Sequence, residues 1–317
     1  MSELLVIALG GNALIPSPDA RDIPSQYQAC YQTCGQIAQL IQRGYRVVIT
    51  HGNGPQVGFV LRRSELSRTE LHEVPLDICV ADTQGAIGSM FQRAMHNQTK
   101  TWDNPPQIVS MVTHVVVDPE DPDFQDPSKP IGSFINDAER VEEIKTQGWH
   151  MMHDPKRGHR RVVPSPKPKE IVELSSIHQL LELGVCVIAC GGGGIPVQLK
   201  NDGSLDAVEA VIDKDLTSSM LARQLGADRL FIATNIDGAY KHYDTDEQER
   251  LGALPVSEME ASIQAGEFGR GSMLPKIQAA VDFVKQGGKE AVIGHLHQLA
   301  EFMSPEVGTH IQPDPTN

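Results

Sequence analysis

The stretch Leu4-Leu-Val-Ile-Ala-Leu9, followed directly by Gly10-Gly11-Asn12, decides the fold class of this chain. Six consecutive apolar residues that end in glycines predict a buried strand running into a glycine loop. The next periodic segment begins near Ser25, and its apolar residues recur at helical spacing until Gly44 supplies a stop. The predicted order is therefore strand, glycine loop and helix, with one face of the helix packed on a sheet.

The same order of elements returns further along the chain. The predicted strand 45–50 runs into His51-Gly52-Asn53-Gly54, and the predicted strand 185–189 runs into Gly191-Gly192-Gly193-Gly194. The other predicted elements are helices over 175–184, 215–226 and 275–287, a strand over 229–234, and a capping box formed by Ser257 and Glu260. This alternation predicts an α/β fold, a three-layer sandwich whose open and largely parallel sheet carries helices on both faces.

One segment has a different composition. Between Asp118 and Pro168 the chain is rich in Pro, Asp, Lys and Arg, with repeated X-Pro dipeptides that mark turns. We interpret residues 118–168 as a small mobile lobe inserted in a single domain that spans residues 1–317.

Composition also excludes several classes of function. A formal net charge of −14 argues against a nucleic-acid surface, which would need clustered Lys and Arg. The apolar run at 4–9 is too short for a signal sequence or a membrane span, so we expect a cytoplasmic protein without membrane contact. The five cysteines form no CxxC pair and are predicted to be buried thiols, and no metal-ligand set is predicted in the protein.

The three glycine loops predict a phosphate or anion site. In a parallel sheet, ligands bind beyond the carboxyl ends of the strands, where glycine lets backbone amides approach phosphate oxygens. Neither a Walker A motif nor the G-x-G-x-x-G spacing follows the first strand, which disfavours P-loop NTPases and nicotinamide dehydrogenases. The pattern therefore favours another kind of phosphate chemistry.

Three lysines stand in unusual sequence surroundings. Lys129 lies in Lys-Pro-Ile-Gly, Lys214 lies between Asp213 and Asp215, and Lys276 opens a predicted helix. Flanking carboxylates can hold Lys214 in one rotamer, and a lysine at a helix N-terminus is unfavourable unless an anion binds there. Lysines, backbone amides and Mg²⁺ suffice for phosphoryl transfer, and an acceptor that is already ionised needs no general base.

With these residues in view, the sequence resembles the carbamate kinase family, which has the amino acid kinase fold. The matching segments cover nearly the whole chain. They are residues 8–13, 50–58, 81–85, 128–132 (with Ser128 where threonine is more usual), 161–168, 190–196, 210–215 and 271–276.

The resemblance implies a reaction, an assembly and residue roles. The implied enzyme is a homodimer that converts ATP and carbamate reversibly to ADP and carbamoyl phosphate, uses Mg²⁺ with the nucleotide, and usually runs toward ATP in arginine or purine catabolism. Lys129 and Lys214 are implied to stabilise the transferred phosphoryl group, Asp215 to orient the lysines, and Lys276 to contact nucleotide phosphates. The implied substrate and phosphate ligands are Gly10, Gly11, Asn12, Gly52, Asn53, Gly191 and Gly192. The implied nucleotide ligands are Asp213, Thr234, Tyr240 and Met273.

Two alternatives remain open at this point. The motifs fix phosphate chemistry better than they fix the acceptor, so a kinase of another small carboxylate is possible. A catalytically silent sensor of nucleotide or carbamoyl phosphate is the other alternative, although Lys129, Lys214, Asp215 and Lys276 together weigh against it.

Overall fold

The computed structural model describes residues 2–11, 14–15, 19–146, 148–269 and 273–315. The strands are β1 (Leu4–Leu9), β2 (Arg46–His51), β3 (Ile108–Ser110), β4 (His114–Val117), β5 (Lys129–Ile135), β6 (His150–Asp154), β7 (Gly158–Val163), β8 (Pro168–Ile171), β9 (Cys186–Ile188), β10 (Ile195–Leu199), β11 (Leu205–Ala207), β12 (Arg229–Thr234), β13 (Tyr240–Lys241), β14 (Glu249–Arg250), β15 (Ala253–Pro255), β16 (Glu290–His295) and β17 (Thr309–Gln312). The helices are α1 (Ile23–Gln42), α2 (Gly54–Ser67), α3 (Leu76–Thr99), α4 (Ala138–Thr146), α5 (Leu174–Glu182), α6 (Lys214–Gln224), α7 (Val256–Gln264) and α8 (Met273–Lys285).

The main sheet is open and largely parallel, as the sequence predicts. Over the described residues it has eight strands in the order β15-β17-β16-β12-β1-β2-β9-β3. All neighbours pair in parallel except β16 and β17. The strand β1 lies between β12 and β2, and all six of its residues are buried. Burial on both faces explains why its sequence is continuously apolar and does not alternate.

Helices cover both faces of this sheet, which confirms the three-layer α/β prediction. Alternate residues of β1 enter different cores: Val6 packs with buried residues of α5, α6, α7 and α8, whereas Ile7 packs with those of α1 and α3. All five cysteines are buried free thiols, as expected. The main sheet therefore has a packed helical layer on each face, and the loops that follow its strands lie at its edges.

A smaller antiparallel sheet lies within the predicted lobe. Strands β5, β7 and β6 pair in that order over residues 129–163, and a bulge interrupts the pairing of β5 with β7 between Ile131 and Ile135. The base of this sheet packs on α2 and α3 through Ile131 and Val163. In contrast, β8 joins β4 in a separate four-stranded sheet of order β11-β10-β4-β8. The movement of the lobe and its bounds at 118–168 stay predictions.

The capping box predicted at Ser257 and Glu260 is wrong. The helix α7 begins at Val256, with Pro255 at its N-cap position and no side-chain cap. Ser257 is therefore inside the first turn, and its backbone N–H donates to Asp314 Oδ1 over 3.0 Å. A carboxylate 57 positions away satisfies this N–H in place of a local cap.

Among the described residues, no helix combines the length and the apolar character needed to cross a bilayer.

Candidate active site

Two glycine loops meet at the carboxyl edge of the central strands. The N–H of Gly10 donates to Ala233 O at 3.0 Å, and the N–H of Gly52 donates to Leu9 O at 2.9 Å. A Cβ on Gly52 would lie 3.0 Å from the backbone nitrogen of Gly11. The loops after β1 and β2 are therefore in direct backbone contact, and only glycine permits this approach. The predicted ligand Asn12 lies outside the described residues.

The third glycine loop, residues 191–194, packs against the second. A Cβ on Gly191 would lie 2.5 Å from His51 Nε2, and a Cβ on Gly192 would lie 2.2 Å from Asn53 Nδ2. Gly192, Gly193 and Gly194 also have positive φ angles of 69°, 93° and 91°. The position of these glycines at a strand end predicts backbone approach to a ligand. Contact with protein atoms and left-handed backbone by themselves require glycine here, so contact of these glycines with a ligand stays a prediction.

Buried polar side chains fix this turn in place, and two of them, Gln84 and Thr217, have no role that the sequence alone predicts. Gln84 on α3 donates to Gly191 O at 2.9 Å and accepts from Thr113 N at 2.9 Å. Thr217 on α6 donates to Gly193 O at 2.9 Å. Asn53 in turn donates to Thr83 Oγ1 at 2.9 Å. The glycine turn thus connects the loop after β2 to α3 and to α6, the helix that carries the predicted catalytic lysine.

Asp215 brings two of the predicted lysines together. Its Oδ1 accepts from Lys214 Nζ at 2.5 Å, and its Oδ2 accepts from Lys276 Nζ at 2.7 Å. Lys214 opens α6 and Lys276 lies in the first turn of α8, and these two helices pack side by side. One carboxylate, whose side chain is only 6% exposed, therefore fixes two ammonium groups contributed by different helices.

Asp213 attaches the third lysine to the same helix end. Its Oδ1 accepts from the backbone N–H of Asp215 at 2.9 Å and so caps α6, while its Oδ2 accepts from Lys129 Nζ at 2.9 Å. Lys129 begins β5 of the small sheet, so this ion pair crosses from the lobe to the main domain. Asp213, predicted as a nucleotide ligand, has both oxygens engaged within the lysine cluster. We define the lysine cluster as Lys129, Lys214 and Lys276 with Asp213 and Asp215.

Burial and mutual charge set the electrostatics of the cluster. Burial alone would raise the pKa of Asp215, but the ammonium groups of Lys214 and Lys276 outweigh it and hold that pKa well below its ordinary value. Burial lowers the pKa of Lys214, and repulsion from Lys276 acts in the same direction, while Asp215 opposes both. The cluster carries more positive than negative charge, which suits it to bind an anion.

His51 lies beneath the glycine loops and is buried. Burial lowers the pKa of its imidazole to about 4, so the ring is neutral at physiological pH. Its Nδ1 lies 3.1 Å from Gly52 O, a carbonyl that only accepts, so Nδ1 carries the proton. The ring stacks on Phe91, with centroids 6.2 Å apart. A sequence motif contained this histidine, but the pattern did not reveal that the ring is buried and uncharged.

The other predicted nucleotide ligands lie on the C-terminal half of the chain. Thr234 ends β12, the strand beside β1, and so reaches the same edge of the sheet as Gly10. The Tyr240 hydroxyl donates to Asp237 Oδ1 at 2.7 Å. Met273 lies one helical turn before Lys276 on α8. Their role toward a nucleotide stays a prediction.

A cleft of about 780 Å³ opens between α2 and β5. Asn53, Lys129, Arg160 and Arg21 provide its polar lining, and the rest is mostly apolar. At one point the two walls nearly touch, because a Cβ on Gly58 would lie 3.6 Å from Gly132 Cα. Lys129 is the member of the lysine cluster that lines this cleft.

Mg²⁺ prefers oxygen ligands, and the carboxylates of the lysine cluster are those of Asp213 and Asp215. Among the described residues, no group of three or more His, Cys, Asp or Glu is arranged to hold a metal ion. The carboxylates of Asp213 and Asp215 already pair with lysines. Mg²⁺ commonly binds through substrate phosphates and waters with one or two protein carboxylates. The site therefore fits a Mg²⁺ ion that arrives on the nucleotide.

Comparison with known proteins places this geometry in a family. The model of the amino acid kinase family matches residues 3–295. Carbamate kinase of Pyrococcus horikoshii is 43% identical over 99% of this chain and 100% of its own length. A carbamate kinase-like protein of Escherichia coli is also 43% identical, over 98% of this chain and 99% of its own.

Solved structures agree with these relatives. The carbamate kinase of Giardia lamblia bound to AMP-PNP superposes with a TM-score of 0.93 at 37% identity, covering 99% of both chains. These matches confirm the resemblance indicated by the sequence motifs, and the kinase family indicates an ATP-dependent phosphotransferase. The chain belongs to the amino acid kinase family.

Proposed function

We propose that this chain transfers a phosphoryl group between ATP and carbamate, forming ADP and carbamoyl phosphate, and that it runs toward ATP in catabolism. The observation that carries the proposal is the lysine cluster. Asp215 holds the ammonium groups of Lys214 and Lys276 at 2.5 and 2.7 Å, and Lys129 reaches the same helix end from the lobe. The similarity to carbamate kinases over almost the whole chain supports carbamate as the acceptor.

Charge neutralisation is the main task of the site in this proposal. The moving phosphoryl group spreads negative charge over its oxygens while the attacking and leaving oxygens stay in line. Lys214 and Lys129 face that charge, and Lys276 neutralises the phosphates of the nucleotide. Because Asp215 fixes two of the ammonium groups before substrate binds, little reorganisation is needed during the reaction.

Positioning of the acceptor falls to the glycine loops. Backbone amides of Gly10, Gly11 and Gly52, with the amide group of Asn53, form the proposed cradle for carbamate and the transferred group. Gly191 and Gly192 support this cradle, because their lack of side chains lets His51 and Asn53 pack directly against the glycine turn. Carbamate is ionised at neutral pH, so its oxygen attacks without a general base. A neutral His51 also adds no charge that would compete with the lysines.

The nucleotide lies over the C-terminal half in this proposal, near Thr234, Tyr240 and Met273. Mg²⁺ supplies further neutralisation of the phosphates when it is bound with the nucleotide. We further propose that two copies form a homodimer and that the protein acts in the cytoplasm.

Formation of ATP from MgADP and carbamoyl phosphate tests the proposal. The purified protein should produce ATP well above a buffer control, measured by a luciferase assay over a range of pH. Lys214→Ala should lower kcat by about a hundredfold or more, because it removes a group that stabilises the transition state. The matched control is Lys200→Ala, which removes an exposed ammonium paired with Asp206 and should leave kcat unchanged.

The same material separates the alternatives. A panel of small carboxylic acids with MgATP should give a lower kcat/KM than carbamate, and a higher value for another acid would replace the proposed acceptor. ATP formation equal to the buffer control, together with saturable nucleotide binding by calorimetry, would favour the sensor alternative.

A further inference from the structure

Arg160 is a fixed cation within the cleft. It lies on β7, and its Nε donates to Gly132 O at 3.0 Å. Its guanidinium carbon lies 5.3 Å from the centroid of the Phe134 ring. These two contacts hold the side chain in one orientation, so little rotamer entropy remains to be lost when a ligand binds.

Arg160 also has an unusual electrostatic environment. Its pKa is lowered by partial burial and by the positive charge of Arg157. Within the described part of the chain, it forms no ion pair with a carboxylate, whereas the adjacent Arg161 pairs with Glu209. A partly desolvated cation next to a second cation is unfavourable unless an anion offsets it.

The position of Arg160 connects it to the reaction centre. It lines the same cleft of about 780 Å³ as Asn53 and Lys129. Carbamate has only four non-hydrogen atoms, so it fills a small part of such a cleft. The cleft therefore has room for a larger anion, or for a substrate held first away from the lysine cluster.

We propose that Arg160 forms an anion-binding subsite of the cleft, which takes a small phosphate or carboxylate anion and holds it beside Lys129. This inference rests on the proposed function, under which the anion is carbamoyl phosphate in the ATP-forming direction. The guanidinium nitrogens beyond Nε present a planar pair of donors that matches two oxygens of a phosphate or carboxylate.

The role is one of substrate specificity and is separate from charge neutralisation at the reacting phosphorus. Arg160 acts on entry and binding of the anion from the lobe side of the cleft. The nucleotide is proposed to bind over the C-terminal half, so its affinity should not depend on Arg160. Loss of Arg160 should consequently raise the KM for carbamoyl phosphate and leave the KM for ADP unchanged.

Kinetics of Arg160→Gln and Arg160→Lys in the ATP-forming direction test this inference. Arg160→Gln should raise the KM for carbamoyl phosphate about ten- to hundredfold, the effect of losing hydrogen bonds to a charged group, with the KM for ADP within about twofold of wild type. Arg160→Lys keeps the charge but not the paired donors, so its KM for carbamoyl phosphate should lie between the values of wild type and Arg160→Gln. Arg157→Gln is the matched control, because Arg157 also lies over Phe134, at 5.5 Å, but does not line the cleft.

A second measurement reads the subsite without catalysis. Sulfate should raise the thermal midpoint of wild type and of Arg157→Gln more than that of Arg160→Gln. The subsite is overturned if Arg160→Gln keeps the wild-type KM for carbamoyl phosphate and the wild-type sulfate response. It is also overturned if both KM values rise together with a loss of stability, since that pattern indicates a packing role. A wild-type protein that makes no ATP would refute the proposed function, while the sulfate measurement would still decide on the subsite.

Discussion

Replacing Asp215 by asparagine removes one negative charge from the centre of the lysine cluster with little change in side-chain size. The Asp215 side chain is 6% exposed, and its partners Lys214 and Lys276 are 11% and 17% exposed. Removing one partner of a buried ion pair costs about 3–5 kcal/mol, because the remaining charge is left uncompensated. We expect Asp215→Asn to lose free energy of unfolding in that range near neutral pH, measured by urea denaturation.

The pH dependence of this variant gives a sharper test. The pKa of Lys214 is already lowered in the wild type by burial and by Lys276, and loss of the carboxylate lowers it further. A lysine with a lowered pKa in the folded state destabilises the fold while it is protonated. The stability deficit of Asp215→Asn should therefore shrink as pH rises through the folded pKa of Lys214.

Activity should follow the opposite trend. Phosphoryl transfer needs Lys214 as an ammonium ion, so kcat of Asp215→Asn should fall as pH rises, starting from a value about a hundredfold below wild type. The control Asp206→Asn removes an exposed carboxylate paired with Lys200 and should cost less than about 1 kcal/mol. An Asp215→Asn variant with wild-type stability, or with a kcat that does not depend on pH, would refute this reasoning.

Three further predictions concern other parts of the molecule. Gly192→Ala should cost about 3 kcal/mol of unfolding free energy and raise the KM for carbamoyl phosphate, because the new methyl group meets the Asn53 amide at 2.2 Å and φ is 69°. Lys129→Ala should lower kcat about a hundredfold but reduce stability by less than about 1 kcal/mol, since its side chain is 35% exposed. His310 is buried, and both of its ring nitrogens face hydrogen-bond acceptors, Glu290 Oε1 and Val307 O. Burial lowers the pKa of this imidazole, but the Glu290 carboxylate outweighs that effect and raises it. Wild type should therefore lose stability as pH rises above about 6.5, and His310→Gln should not.

Each of these predictions has its own contrary result. Gly203→Ala is the control for the first, because its φ is 85° with nothing within 4 Å, and equal losses for both alanines would contradict the proposed clash. A Lys129→Ala variant that unfolds much more easily than wild type would show that this lysine is structural. If wild type and His310→Gln show the same dependence of stability on pH, the prediction that His310 is buried as an imidazolium is wrong.

The sheet was predictable from the sequence because its signal is local. Six apolar residues before Gly10 are enough to indicate a strand buried on both faces, and repetition of this pattern indicates parallel strands with helices between them. The closeness of the glycine loops follows from the same rule, since parallel strands bring their carboxyl ends to one edge.

Features set by distant contacts were not predictable. The prediction of a capping box is wrong because the N–H of Ser257 donates to Asp314, which lies 57 residues further along the chain. The need for glycine at 191 and 192 depends on His51, the last residue of β2, and on Asn53 in the loop that follows it. Asp213 and Asp215 look equivalent around Lys214 in the sequence, yet one caps α6 and binds Lys129 while the other binds Lys214 and Lys276.

A crystal structure with MgADP, carbamate and aluminium fluoride, a mimic of the phosphoryl group in transfer, tests most directly whether the lysine cluster surrounds that group. We predict that the Nζ atoms of Lys129 and Lys214 lie within about 3 Å of the fluoride ligands, with Lys276 on a phosphate of ADP and Asp215 still between the two lysines. The account would be contradicted by a mimic bound at another place on the sheet, or by ammonium groups that remain out of hydrogen-bond reach of it.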